Sequence, residues 1–470
     1  MLQAKPGLHG MFRVFRLRQS LELSLAFTFG VMGLVTTPLA SQAACDLSQA
    51  DVVHGAAPPR ILEDVVIPID PGGVRRELRK HGVEVGAVYY GEVFHNWDGL
   101  QDGGVYDGVL ELYMNADMHQ VGLWKGLCFH ADGYQIHGGS ITGDYVGGLM
   151  PVSGLEAEPS TRLFEVWFEQ HFFNDALAVK IGQLAADAEF FYAEGGGYFL
   201  NGTWGWAPIA ADNNPSGGPA YPLATPGARV AVAPTERTSL LVGIYNGDPA
   251  PQCNKGGGDP QRCNDNGSDF ELDDDPLLMV EGKYSYELAH GTLPGTIKIG
   301  GWNHFGDFEH QRIDVGGALI AVTGNAGRPL DNNHALYVIL DQLLWRKPGS
   351  KDAQGVGLFT RFASAPDDRN LVDFYFDVGL TFTGMIPSRP KDALAIGYAY
   401  TSISDQVSAL NVDTGLLVAR DYEALIEVTY TTEVVTGWTL QPDFQYIINP
   451  EGGVEAKNAT VIGVRSTLSF

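Results

Sequence analysis

The chain has 470 residues, mean hydropathy near zero (−0.05) and 30 basic against 56 acidic side chains, a formal net charge of −26. That balance excludes bulk-charge binding to nucleic acid or an anionic surface, and favours neutral or cationic small partners. Past the first 44 residues no apolar run is long enough for a membrane helix, so the one membrane architecture left to this sequence is a closed β-barrel.

Residues 1–44 read as a cleaved secretory signal. Arg13, Arg16 and Arg18 form a basic start, Leu21 to Leu34 an apolar core, and Ser41-Gln42-Ala43 a small-residue cleavage site. Removing them takes away four basic residues and one acid, leaving 26 against 55 and a net charge of −29. An exported chain makes disulfides the default state of its cysteines. Cys253 and Cys263 bracket a short Gly- and Asp-rich stretch and are expected to pair. Cys45 and Cys128 are either a second bridge or two free thiols.

Residues 45–82 form a periplasmic leader. Within it, Pro71-Gly72-Gly73 opens VRRELRKHG, one or two helical turns ending at Gly82. Arg75, Arg76, Arg79 and Lys80 make this the densest positive cluster, read as a solvated helix face or as a collar at a pore mouth.

From residue 83 to 470, segments of alternating character follow one another without a long amphipathic helix. Strands are expected at 83–95, 105–118, 126–137, 160–172, 176–184, 224–233, 238–246, 278–286, 295–304, 334–346, 355–363, 371–382, 392–402, 421–431, 437–448 and 458–470, sixteen in all. The fold class is therefore all-β, a transmembrane antiparallel β-barrel with a short N-terminal helix. Alternate connections are long (138–159, 185–223, 247–277, 305–333, 403–420) and short, the pattern of long outer loops and short periplasmic turns. The last strand illustrates the alternation. Ile462, Val464, Leu468 and Phe470 share one parity, whereas Gly463, Arg465, Thr467 and Ser469 share the other.

Parity assigns faces, because a charge on the lipid side costs roughly 2–4 kcal/mol at mid-bilayer. Phe164, Val166 and Phe168 are expected to face lipid, with Glu165, Trp167, Glu169 and His171 inward. Likewise Phe374 and Phe376 face out while Tyr375 and Asp377 face in, and Ala424, Ile426 and Val428 face out while Glu423 and Glu427 face in. Lys180, Lys298, Arg361, Arg465, Asp107, Glu111 and Asp443 fall on the inner parity, giving a lumen of both signs.

Several stretches, in order, resemble the carbohydrate-selective outer-membrane porin family (OprB family): GLWKGLCFHADG at 122–133, RLFEVWFEQHFFNDALAVKIGQLAADAEFF from 162, FLNGTWGW, AYPLATPGARVAVAPT, LLVGIYNGDP, PGTIKIGGWNHFGDF and LQPDFQYIINPEGG. The resemblance spans nearly everything from about residue 55 onward. It implies a sixteen-stranded barrel in the bacterial outer membrane and passive diffusion of small sugars into the periplasm.

A sugar has hydroxyl edges and apolar C–H faces, so its path wants aromatic rings and charged or amide groups at a weak site near a constriction. The segment from Ala185 to Trp206 has that make-up, with Asp187, Glu189, Asn201, Trp204 and Trp206. It is expected to bend into the barrel and narrow it, or else to pack its aromatics on themselves outside. Glu165, Trp167, Glu169, Lys180, Arg361, Glu423, Glu427 and Arg465 complete the expected pore lining, as hydroxyl-bonding groups or as mutual ion pairs.

No cofactor and no metal are expected, since the acidic run DNGSDFELDDDP lacks the spacing of a calcium loop. Solutes are small carbohydrates, the surroundings outer-membrane lipid and lipopolysaccharide, and the assembly a monomer or homotrimer. A secreted glycoside hydrolase is the competing enzyme reading. Acids on one strand face line a wall instead of flanking a bond, and no HExxH, G-x-S-x-G or P-loop pattern is present, so no catalytic residue is assigned. A general or cation-selective porin is the remaining alternative.

Overall fold

In a computed structural model, the described residues are 45, 70–254, 258–350, 354–415 and 419–470. The expected signal segment 1–44 and most of the expected leader 45–82 lie outside them. The sixteen strands are β1 (Val83–Asp98), β2 (Gly103–Asp117), β3 (Leu127–Gly138), β4 (Ser160–Phe172), β5 (Leu177–Leu184), β6 (Thr225–Thr235), β7 (Thr238–Asn246) and β8 (Pro276–Leu288), followed by β9 (Leu293–Asp314), β10 (Gly327–Arg346), β11 (Gly355–Ser364), β12 (Val372–Thr383), β13 (Ala393–Ile403), β14 (Tyr422–Val435), β15 (Trp438–Ile448) and β16 (Ala459–Ser469). Each pairs antiparallel with its sequence neighbours, and β1 pairs with β16 from Val88↔Ser469 to Asp98↔Ala459, closing the barrel. Closure leaves no unpaired edge, which is what lipid demands of a sheet.

The period-two pattern sets the two faces. On β16, Ile462 and Val464 are exposed on the outer wall while Val461 and Arg465 are buried inside. On β12, Phe374 is outside and Tyr375 and Asp377 are buried; on β14, Ile426 is outside and Glu423 and Glu427 are buried. A large part of the buried apolar cluster is lumenal, joining wall residues such as Tyr337, Phe359 and Tyr375 to Phe190, Phe191, Phe199 and Trp204 of the connection between β5 and β6.

Two expectations are corrected. The span 305–333 is not one long loop: β9 and β10 extend through it, pairing as far as Gly327↔Asp314, and only 315–326 connects them. Polar and glycine residues there hid a hairpin that rises beyond the apolar belt. Phe164 does not face outward. Ala131 pairs with Val166 but Gly133 pairs with Leu163, so Asp132 alone opposes Phe164 and Glu165. This bulge turns both side chains inward, where Phe164 meets Tyr134 and Tyr221 at ring separations of 5.1 and 5.9 Å.

Connections 139–159, 185–224, 247–275 and 404–421 share one rim, whereas 173–176, 236–237, 289–292 and 436–437 are tight turns at the other. The helix Val74–Lys80 docks against β1. Its arginines are not a free collar: Arg75 and Arg79 both pair with the buried Glu84, Arg76 with Asp70, and Lys80 with Glu77. Cys253 is bonded to Cys263, and Cys45 to Cys128 on β3, with Cα separations of 5.8 and 5.6 Å.

Candidate functional site

Side chains on the inner parity of ten strands reach the connection 185–224, mostly through its backbone. Arg361 on β11 lies opposite Asp377 on β12 and bonds it through Nε at 2.8 Å. Its remaining N–H groups donate to Phe191 O and Gly205 O (both 2.9 Å), Thr203 O (2.7 Å) and the Tyr375 hydroxyl (3.3 Å). A guanidinium is a rigid fork of five donors, and here every nitrogen is engaged within the protein.

Glu427 on β14 accepts from Leu200 N and Trp204 Nε1 (both 2.6 Å) and from Asn201 N (3.3 Å). Around the wall, Glu165 accepts Ala185 N (2.7 Å), Glu281 accepts Phe191 N (3.2 Å) and Asp341 accepts Gly195 N (2.9 Å). Lys298 donates to Tyr192 O (2.7 Å) and Gln441 to Tyr198 O (2.9 Å). The turns of the connection pair part of its backbone internally, and these charged and amide groups take up N–H and C=O groups that the turns leave over.

Trp204 is fully buried, stacked on Phe199 at 4.4 Å and edge-on to Phe359 at 5.7 Å. Gly397 on β13 permits this approach, because a Cβ there would lie 2.5 Å from the indole. With both faces and its N–H occupied, Trp204 presents no ring to a solute. Asn201, buried beside it, donates to Gln445 at 2.9 Å. Trp206 is half-buried, its N–H fixed on Gly217 O at 2.9 Å.

A second group combines both signs. Glu189 of the connection accepts from Lys180 Nζ on β5 (2.7 Å) and from Arg229 Nε and Nη2 on β6 (2.6 Å each). Arg229 Nη1 also meets Glu169 on β4 at 2.9 Å, and His171 stands 3.6 Å from the same carboxylate. Lys180 sits 4.1 Å above the Trp167 ring, which stacks on His130. Burial alone would lift the Glu189 carboxyl, but Lys180 and then Arg229 outweigh it and hold it at about 2.

Of the remaining expected residues, Glu423 and Arg465 serve a different connection. Glu423 accepts Leu149 N (2.7 Å) and Met150 N (2.8 Å), while Arg465 pairs with Glu92 across the β1–β16 seam and donates to Ser153 Oγ (3.2 Å). They hold 139–159 against the wall. Within that segment Glu156 accepts from Ser140 Oγ (2.7 Å) and Thr142 N (2.8 Å), and burial pushes its carboxyl up. Asp187, also buried, accepts Tyr221 N at 3.1 Å.

The sequence reading thus brought together Glu169, Lys180 and Glu189, and separately Asn201, Trp204 and Glu427. It missed Arg229, although GARVAV puts a lone cation on the inner parity of an apolar strand, the signal used elsewhere. It also missed Glu281, Asp341 and Gln441; Glu281 and Asp341 carry the same parity signal, which gives a face but not the bond each makes to the connection.

The chain matches the family described as carbohydrate-selective porin, OprB family, over residues 101–470. Porin B of Pseudomonas aeruginosa is 25% identical over 426 residues, covering 85% of this chain and 90% of that protein. The putative porin QuiX of Acinetobacter baylyi is 23% identical over 445 residues, covering 85% and 92%. The high-pH structure of Pseudomonas putida OprB superposes with a TM-score of 0.75 at 24% identity, over 85% of this chain and 97% of that one. Its low-pH structure gives 0.54 at 19% identity, over 86% and 98%.

Proposed function

This chain belongs to the carbohydrate-selective porin (OprB) family, an outer-membrane β-barrel channel and not an enzyme, and from that premise we propose that small sugars diffuse through a lumen narrowed by the connection 185–224. In this reading the polar passage runs past Glu169, Lys180, Glu189 and Arg229. One observation carries this reading: the connection contributes the Glu189 carboxylate between two wall cations, and all four side chains keep some exposure, from 7 to 18%. Carboxylates accept from sugar hydroxyls and ammonium or guanidinium groups donate to them, so such a ring exchanges ion-pair contacts for solute contacts at little net cost. That is the shallow binding a conducting path needs.

In the same reading Trp204, Asn201, Glu427 and Arg361 keep the connection rigid, and Glu165, Glu423 and Arg465 act as supports. Trp167 shields Lys180. The apolar outer wall meets lipid and lipopolysaccharide, in a monomer or a homotrimer.

Planar-bilayer recordings with glucose test the proposal. Glu189→Gln and Arg229→Met should each weaken sugar block of the ion current by about tenfold while leaving the barrel inserted. Unchanged block in both would remove this cluster from the path. The acidic composition favours a second reading, a general or cation-selective pore. Reversal potential in a salt gradient, set beside liposome swelling with mono- and disaccharides, separates the two: swelling rates ordered by solute size alone would support the general pore.

A further inference from the structure

Above the polar cluster, on the rim with the long connections, lies a cavity of about 250 Å³. Three connections build it: 139–159, 185–224 and 247–275. Its lining includes Trp206, Tyr221, Glu156, Asp187, Asp259 and Gln261, and among the described residues no lysine, arginine or histidine. The volume lies just below the range of small-molecule pockets, from about 300 Å³ upward.

The walls are fixed in place. The buried guanidinium of Arg162 on β4 donates to Pro222 O (3.0 Å) and Gln261 O (2.9 Å), tying two of the connections together. Glu158 N donates to Gln261 Oε1 at 2.7 Å, so the third is joined to them. The Cys253–Cys263 bond closes the turn that carries Asp259 and Gln261. With the Trp206 N–H committed to Gly217 O, what the indole offers the cavity is ring surface. Asp187, which lines the cavity, lies two residues from Glu189 of the polar cluster.

We propose that this cavity is an outer sugar subsite that takes one neutral or amino-substituted pyranose ring against Trp206 and disfavours sugars bearing a carboxylate or phosphate. The inference rests on the sugar-porin reading above and adds a selectivity that the passage, which carries both signs, does not supply. An apolar C–H face packs on the indole, and the hydroxyl edge meets Gln261 and the acids. Asp187 and Asp259 place two negative charges around a confined volume, against the one guanidinium of Arg162 that braces its wall from behind, so an anionic sugar is repelled and an ammonium group attracted. Glu156 contributes by holding its own connection together.

The test is single-channel recording with glucose, glucosamine or glucuronate added to one side at a time. From the rim of long connections, wild-type protein should be blocked with on-rates in the order glucosamine, glucose, glucuronate, the last lower by roughly tenfold. From the other side the spread should be smaller. Trp206→Ala should cut the glucose on-rate from the long-connection side by about tenfold and spare the other side, while Trp206→Phe retains most of it. Asp259→Asn, which keeps the cap on Gln261 N, should raise the glucuronate on-rate, and it carries the test if Trp206→Ala yields no conducting channel.

Equal on-rates for the three sugars, or a fall from both sides together, would overturn the subsite while leaving the porin reading intact. Absence of block by any sugar from either side would instead defeat the sugar-path reading and favour the general pore.

Discussion

Replacing Glu427 with alanine should free the tip of the connection without unfolding the barrel. The carboxylate accepts three donors: two backbone N–H groups of residues 200 and 201 and the Trp204 indole. Hydrogen bonds to a charged group contribute about 1.5–3 kcal/mol each, so their loss amounts to at least about 4.5 kcal/mol. Removing a buried carboxylate also relieves a desolvation penalty of several kcal/mol, which offsets part of this. A net of about 3 kcal/mol remains for local opening, roughly a hundredfold in the equilibrium at 1.4 kcal/mol per decade.

Amide hydrogen exchange in detergent reads this directly. Protection at Leu200 and Asn201 should fall about a hundredfold, while amides of β14 and β15 stay protected. Glu427→Gln, which retains an acceptor, should fall between the two. A loss of less than about tenfold at Leu200 in the alanine variant would show that these three bonds do not hold the segment.

Arg361→Lys keeps the charge but not the fork, leaving carbonyls of Phe191, Thr203 or Gly205 unpartnered; it should destabilise by roughly 3 kcal/mol in urea unfolding from detergent. The Glu189 carboxyl, held at about 2, lies below its usual value near 4.3, so the stability its ion pairs contribute is complete above about pH 5 and is lost as pH falls through about 2. Sugar block should therefore show no titration from this group between pH 7 and pH 4, and weakening only in stronger acid. Gly397→Val should expel Trp204 from between Phe199 and Phe359, detected as a red-shifted, quencher-accessible indole emission. Chain-entropy reasoning gives the Cys45–Cys128 bond, which spans 83 residues, about 4.5 kcal/mol, and Cys253–Cys263, which spans 10, about 2.7 kcal/mol. Cys45→Ser should lower the urea midpoint more than Cys263→Ser.

The barrel was legible because a wall between lipid and water imposes a side-chain period of two, and residues such as Ile462, Arg465, Phe374 and Asp377 carry it openly. Where the wall rises beyond the apolar belt, the constraint lapses, and the upper parts of β9 and β10 look like loop. The bulge at Phe164 was invisible for the opposite reason. Phe164, Glu165 and Val166 alternate cleanly, and only the partner strand shows that one residue is extra. Parity could assign the lumen charges to a face, but it could not say what each one bonds. Arg361 and Glu427 hold irregular backbone, whereas Lys180 and Glu189 pair with each other and keep partial exposure. Trp204 stood out as an aromatic in the right segment, yet its neighbours Phe199, Phe359 and Gly397 come from distant parts of the chain, and they decide that it packs.

The seam between first and last strands has a consequence for assembly. Glu92 and Arg465 face one another across it, with Ser153 bonded to both. Had the two ends met two places out of step, the guanidinium would confront Tyr90 or Phe94 in a dry interior, an uncompensated ion worth several kcal/mol. A slip by one place would push it into lipid instead. A single pair of opposite charges therefore polices the stagger with which the cylinder shuts, and that stagger in turn sets its girth and the tilt of its staves.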